Sequence, residues 1–184
     1  MCIRDRNLSA AKEACISTGI TEDEFYKAVQ SFEGTAKRLQ KICENKNGVA
    51  YLDFAHSPSK VKATIEAVSS RYPGKKIIAC LELHTYSSLN IDFLPQYLGT
   101  LDKASSPFVY FNPHALKLKR LPMVSLDEVK EAFGNTKLLV FNNSAEMFSF
   151  IQKQNYRDSV FLFMSSGDFD GINLKTLAEE LLKT

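Results

Sequence analysis

Val49-Ala50-Tyr51-Leu52-Asp53-Phe54-Ala55-His56-Ser57-Pro58 decides how this chain folds, because an apolar, β-prone run gives way there to a loop and then to a helix start. Residues 58–68 carry apolar side chains at helical spacing behind a Ser57 N-cap and a proline at the first helical position. Asp53 and His56 therefore sit on a strand-to-helix loop. In a doubly wound sheet such loops open at the carboxyl edge. A helix N-terminus there offers unpaired N–H groups to anions, and a carboxylate can accept from ribose hydroxyls. Taken alone, the stretch leaves a second reading open, in which Asp53 closes a turn and His56 is a surface histidine.

Downstream, the runs 76–81, 108–111, 138–141 and 160–164 read as buried strands, and 91–98, 125–133, 144–154 and 174–182 as helices. This alternation predicts an α/β, Rossmann-like, mostly parallel sheet with helices on both faces. Upstream, residues 37–43 alternate like a strand and turn at Asn45-Lys46-Asn47-Gly48, making a β-hairpin with the strand before Asp53. Before that, residues 7–18 read as a helix with Leu8, Ala11, Cys15 and Ile16 inward, stopped by Gly19. Thr21 and Glu24 form a capping box for a second helix through Phe25, Ala28, Val29 and Phe32, ended by Gly34. This helical remnant is too short to build a core. Met1-Cys2-Ile3-Arg4-Asp5-Arg6 fits nothing that follows and reads as an artefact or truncation scar. The expected organisation is thus 1–6, 7–36 and 37–184.

At 184 residues the chain can bury one full core with some length left over. A formal charge of +2, with acids and bases mixed along the sequence, gives no basic stripe for nucleic acid. Cys2, Cys15, Cys43 and Cys80 lack metal-type spacing and read as reduced thiols of a cytoplasmic protein. No apolar run approaches the roughly 20 residues that span a bilayer, and no signal-peptide core is present, so no membrane partner is expected.

Phosphate-gripping motifs are missing: neither GxxxxGK[ST] nor GxGxxG occurs, so this chain alone is not expected to hydrolyse ATP. No GxSxG elbow and no loop cysteine beside a basic group point to covalent catalysis. The three histidines have no metal-ligand spacing, and no metal site is expected. Two loops at the carboxyl edge are rich in hydrogen-bonding groups. In the first, Glu82 to Asn90, His84 either binds a substrate carboxylate when protonated or caps a helix near Asn90. The second, Ser165-Ser166-Gly167-Asp168-Phe169-Asp170-Gly171, either aims backbone N–H groups at a ligand or is an ordinary strand-to-helix turn. His114 and Lys117-Leu118-Lys119-Arg120 read as solvated loop.

Taken in order, Phe32-x-Gly34-x-x-Lys37-Arg38-Leu39, Asp53-Phe54-Ala55-His56-Ser57-Pro58 and Met164-Ser165-Ser166-Gly167-Asp168-Phe169-Asp170-Gly171-Ile172 resemble the C-terminal part of the Mur ligases. These ATP-dependent enzymes build the cytoplasmic peptidoglycan precursor. The likeness runs from Asn7 to the end and favours the branch that joins UDP-N-acetylmuramate to a tripeptide, with the L-alanine-adding branch next. It implies that residues 7–36 end a central ATPase domain and that 37–184 form the third domain, the N-terminal and central domains being missing partners.

The resemblance implies roles residue by residue. Asn7 matches the second asparagine of an HNxxN motif, Arg38 the arginine that reaches the ATP phosphates, Asp53 the acid that binds ATP and His56 the histidine beside the nucleotide. Arg38 and Asp53 are the catalytic candidates. His84, Thr85, Ser87, Ser88, Ser166 and Gly167 are the substrate-facing candidates. ATP and Mg2+ are the implied cofactors, the metal held mainly by the missing central domain. The family reaction activates the muramoyl carboxylate as an acyl phosphate that an amine then attacks, and this domain closes over ATP as a lid. Arg38→Ala and Asp53→Ala are expected to cut ligation and leave the fold intact. Departures fall on the amine side: family arginines around the positions of His84 to Ser88 are replaced, and Gly167-Asp168 differs from the usual glycine-rich form. The alternatives are a non-catalytic Rossmann-like ligand-binding module and a purely structural interaction domain.

Overall fold

The computed structural model describes residues 3–31 and 36–183. Met1 and Cys2 of the opening hexapeptide, and Phe32 and Gly34 of the first resemblance motif, lie outside the described residues. The chain divides into two compact units, 1–35 and 36–184.

In the first unit, α1 (Ile3–Ser17) does not begin at Asn7 but runs on from within the hexapeptide. The expected inward face is largely bare, with Leu8 41% and Ile16 39% exposed. α2 (Glu22–Val29) carries the capping box read from Thr21 and Glu24, each satisfying the other's backbone N–H.

The second unit is built on β1 (Gln40–Asn45), β2 (Gly48–Asp53), β3 (Lys76–Leu83), β4 (Ser106–Phe111), β5 (Leu139–Phe141) and β6 (Ser159–Met164). They lie in the order β1-β2-β6-β3-β4-β5. The β1–β2 hairpin is antiparallel, whereas β2–β6, β6–β3, β3–β4 and β4–β5 are parallel. The strands are nearly continuous apolar runs because both faces are covered. On one face Val49, Tyr51, Leu81 and Leu162 meet α3 (Pro58–Arg71), α5 (Leu126–Phe133) and α4 (Pro113–Leu118) through Ile65, Val129 and Leu116. On the other, Ala50, Cys80, Phe161 and Phe163 meet α6 (Ser144–Gln152) and α7 (Leu174–Leu181) through Met147, Ile151 and Ala178. Burial pushes the Cys80 thiol pKa up, as suits an inert core sulfur.

Four local readings change. Residues 37–39 are not strand: Lys37 and Leu39 take left-handed φ values of 55° and 48°. Residues 91–98 form no α-helix; a 3-10 turn at Leu94–Tyr97 stands there instead, after another at Ser87–Leu89. Asn90 accepts from the Asp92 N–H, and Pro95 has no N–H to extend a helix. His114, Lys117 and Leu118 sit on α4, whose N-cap Asn112 accepts from the His114 N–H, while Lys119 and Arg120 follow its end. Ser57 occupies the N-cap of α3 but makes no side-chain capping bond.

Candidate functional site

β6 is inserted between β2 and β3, so the strand order reverses there and three carboxyl-edge loops meet. The α3 connection after β2 leaves on one face, whereas β6 leads to α7 on the other. Such a switch point opens a crevice at the strand ends. The loops are stitched together where the Ser165 N–H donates to the Asp53 carbonyl at 3.0 Å.

Around β2, Arg38, Asp53 and His56 come together through Phe54. The Arg38 guanidinium lies 5.2 Å from the Phe54 ring centroid, on a residue that is otherwise exposed. The His56 ring meets the same phenyl edge-on, with centroids 5.1 Å apart, and its Nδ1 lies 2.8 Å from the Phe54 carbonyl. The His56 carbonyl accepts from the Tyr97 hydroxyl. Asp53 plays a different part from its neighbours. It is 8% exposed, and its Oδ2 accepts from the Leu39 N–H at 2.6 Å. Its Oδ1 accepts from the Ala55 N–H at 2.8 Å and the Thr64 hydroxyl at 3.3 Å. Asp53 thus closes the turn and rivets the 37–39 segment to it, aided by the Phe54 N–H donating to the Lys37 carbonyl at 2.7 Å. With these bonds in place, Asp53→Ala is expected to cost stability as well as ligation.

Around β3, Ser88 is fully buried and Thr85 half-buried. Thr85 donates to Ser88 Oγ at 2.9 Å, and the Ser88 hydroxyl donates back to the Thr85 carbonyl at 3.1 Å. Ser87 lies 3.3 Å from the Thr85 hydroxyl. These hydroxyls bond to one another and shape the 3-10 turn, and His84, half-exposed, stands at its entrance. Around β6, Ser166 Oγ is buried and has no hydrogen-bond partner among the described residues, and Gly167 packs directly against His84. Asn7 lies exposed on α1 in the first unit.

Two carboxylates that the sequence reading did not select complete this edge. Glu82, 2% exposed, accepts from the Ser165 hydroxyl and from the Phe169 N–H. Its signal was an acid near the end of an otherwise apolar strand. Asp170, at a φ of 61°, accepts from the Tyr110 hydroxyl, Asn112 Nδ2 and the Ser144 hydroxyl. Burial works to raise the Asp170 pKa, but the hydrogen bonds from Tyr110, Asn112 and Ser144 and the nearby His84 outweigh it and hold it below the ordinary value. Burial, then Asp170, pushes the Tyr110 phenol up. The depressed Asp170 pKa contributes stability above the unfolded carboxylate value of about 3.9, lost as pH falls through the lower folded value. Asp170→Asn should therefore flatten the acid limb of a stability-versus-pH curve. Superimposable acid limbs would refute the assignment.

Among the described residues no three His, Cys, Asp or Glu side chains converge as a metal site, and no helix is long and apolar enough to cross a membrane. A cleft of about 340 Å³ lies at the opposite edge, between the amino ends of β3 and β4 and the end of α6; no candidate site residue lines it.

No family model matches the chain. It is 25% identical over 174 residues to a UDP-N-acetylmuramate–L-alanine ligase of Chlorobium chlorochromatii (strain CaD3), covering 92% of this chain and 37% of that protein. The corresponding ligase of Wolbachia pipientis wMel is 26% identical over 180 residues, covering 95% and 34%. The chain thus spans about a third of the length of these curated relatives. Among solved structures, a murein peptide ligase from Psychrobacter arcticus 273-4 aligns with a TM-score of 0.69 at 18% identity, over 97% of this chain and 36% of that one. A single domain of a putative UDP-N-acetylmuramate:L-alanyl-γ-D-glutamyl-meso-diaminopimelate ligase from Haemophilus ducreyi 35000HP gives 0.56 at 24% identity, over 79% and 98%. MurF ligase from Thermotoga maritima, solved in complex with ADP, gives 0.59 at 19% identity, over 96% and 37%.

Proposed function

We propose, on the premise that this chain resembles Mur ligase C-terminal domains in both sequence and fold, that it is the ATP- and substrate-contacting part of an amide ligase. That ligase joins UDP-N-acetylmuramate to an amino acid or peptide in the cytoplasm. The observation that carries the reading is the Arg38–Phe54–His56 stack at the sheet's switch point, an exposed guanidinium held in place with no carboxylate ion pair among the described residues. A guanidinium so placed is free to pair with phosphate oxygens in a forked geometry. ATP fits this corner, with Arg38 toward its phosphates and His56 beside it. Asp53 serves the nucleotide by fixing the main chain that carries Arg38.

When bound, ATP supplies the phosphoryl group that activates the muramoyl carboxylate, and Mg2+ is held mainly by the ATPase portion of the longer protein. This chain orients, balances charge and excludes water. Thr85, Ser87 and Ser88 shape the loop on which His84 stands, while Ser166 and Gly167 border the amine substrate. The curated relatives name L-alanine and the peptide-ligase neighbours a longer peptide; both classes present a primary amine.

The test is an amide NMR titration of this chain with Mg-ATP and, separately, with UDP-N-acetylmuramate. Shifts clustered on Arg38, Phe54 and His56 with Mg-ATP are expected. Shifts scattered over the surface, or none at saturating nucleotide, would refute the nucleotide corner.

A further inference from the structure

Glu82 is a carboxylate buried to 2% exposure at the end of β3, and its two oxygens have different surroundings. Oε2 is filled by the Ser165 hydroxyl and by the Phe169 N–H at 3.0 Å. Oε1 faces His84 Nδ1 at 3.6 Å. The Gly167 N–H donates to Ser165 Oγ at 2.6 Å, which draws the β6 loop over the pair. A Cβ at Gly167 would lie 2.8 Å from His84 Nδ1 and 2.9 Å from Glu82 Oε2, so only glycine permits this approach. The imidazole is confined between a fixed carboxylate and the loop main chain, while its side chain stays 44% exposed.

We propose that Glu82 and His84 form a carboxylate–imidazole dyad that receives the primary amine of the incoming substrate, Nδ1 turned to Glu82 and Nε2 accepting from the amine. The hydrogen bond at one ring nitrogen sets which nitrogen carries the proton. A carboxylate beside Nδ1 keeps the proton there and leaves the Nε2 lone pair outward, the logic by which an acid orients a histidine base. Catalytic hydrogen bonds are often long before substrate arrives, so 3.6 Å suits a resting dyad. Charge points the same way. Glu82 faces the imidazole directly, and Asp170 is near enough to interact with it electrostatically. That environment suits an ammonium group better than a carboxylate, a role outside the two the sequence left open for His84, carboxylate binding and helix capping.

The chemical step rests on the ligase reading. The substrate ammonium gives one proton to His84 Nε2, and the freed nitrogen lone pair forms a bond to the acyl-phosphate carbonyl carbon. The C–O bond to phosphate breaks, phosphate leaves with that electron pair, and the nitrogen's surplus proton passes to the departing phosphate. His84 is then a catalytic residue and Glu82 a positioning residue.

Two-bond 1H–15N spectra of this chain, recorded where the imidazole is neutral, test the dyad directly. The Nδ1–H tautomer is expected for His84, with loss of that bias in Glu82→Gln, which keeps side-chain volume and an oxygen acceptor for Ser165 and Phe169. L-alaninamide, whose carboxylate is blocked, should shift the His84 Nε2 resonance; N-acetyl-L-alanine, whose amine is blocked, should not. A predominant Nε2–H tautomer, a response to N-acetyl-L-alanine instead, or no response to L-alaninamide at its solubility limit would overturn the proposal. If Glu82→Gln does not fold, the parent tautomer and the two probes still decide. These readouts need no nucleotide, so a failed Mg-ATP titration would remove the ligase reading and leave the amine site standing.

Discussion

Arg38→Ala, made in the full-length ligase that the proposed function implies, is expected to lower ligation about 10³-fold, the scale of losing an arginine that stabilises a transferring phosphoryl group. The same change in this chain should barely move its melting temperature. Arg38 is exposed and its visible anchor is the Phe54 ring at 5.2 Å, a contact worth about 0.5–1 kcal/mol at such a site. Lysine should rescue poorly, because a point charge reproduces neither the planar fork nor the stacking. Initial rates set beside thermal unfolding of the same variants check this. Near-parental ligation in Arg38→Ala would remove the guanidinium from the mechanism.

Asp53→Ala is expected to do the reverse, destabilising this chain by about 3–5 kcal/mol. It strips the partner from the buried Ala55 N–H and the half-buried Leu39 N–H, hydrogen bonds to a charged group being worth about 1.5–3 kcal/mol each. For a chain of this size the melting temperature should fall by roughly 10 °C. Asp53→Asn should fall between, since one amide oxygen can still accept. An unchanged melting temperature in Asp53→Ala would show that the carboxylate is not the rivet its geometry indicates. Loss of ligation in this variant follows from displacement of Arg38, so its unfolding curve must be read beside its rate.

The strands were legible because burial on both faces leaves unbroken apolar runs such as residues 160–164. The hairpin turn and the Thr21–Glu24 capping box follow from local chemistry. What escaped depended on distance or on competing local signals. Asn112-Pro113 reads as a loop, yet an Asn cap and a proline at the first position also start a helix, and α4 begins there. Residues 91–98 have helical spacing, but Asn90 and Pro95 tip them into 3-10 turns. Asp53 stands out in the sequence, but its partner at Leu39 lies 14 residues upstream, beyond any local pattern. Arg38 and His56 both lie against the Phe54 ring, a contact that no single motif shows. Glu82 stood in plain sight as an acid within an apolar strand, but its link to Ser165 spans 83 residues and needs the fold to be seen.

The left-handed turns at Lys37 and Leu39 bear on how such proteins can be cut and recombined. The compact units part between Thr35 and Ala36, but the dihedral angles of the next residues are dictated by Asp53 and Phe54 through the Leu39 N–H and the Lys37 carbonyl. A chimera that grafts this α/β unit behind a foreign upstream unit must therefore inherit the junction from the downstream parent. A splice placed after Leu39 would discard the bent tether and keep only the carboxylate made to hold it.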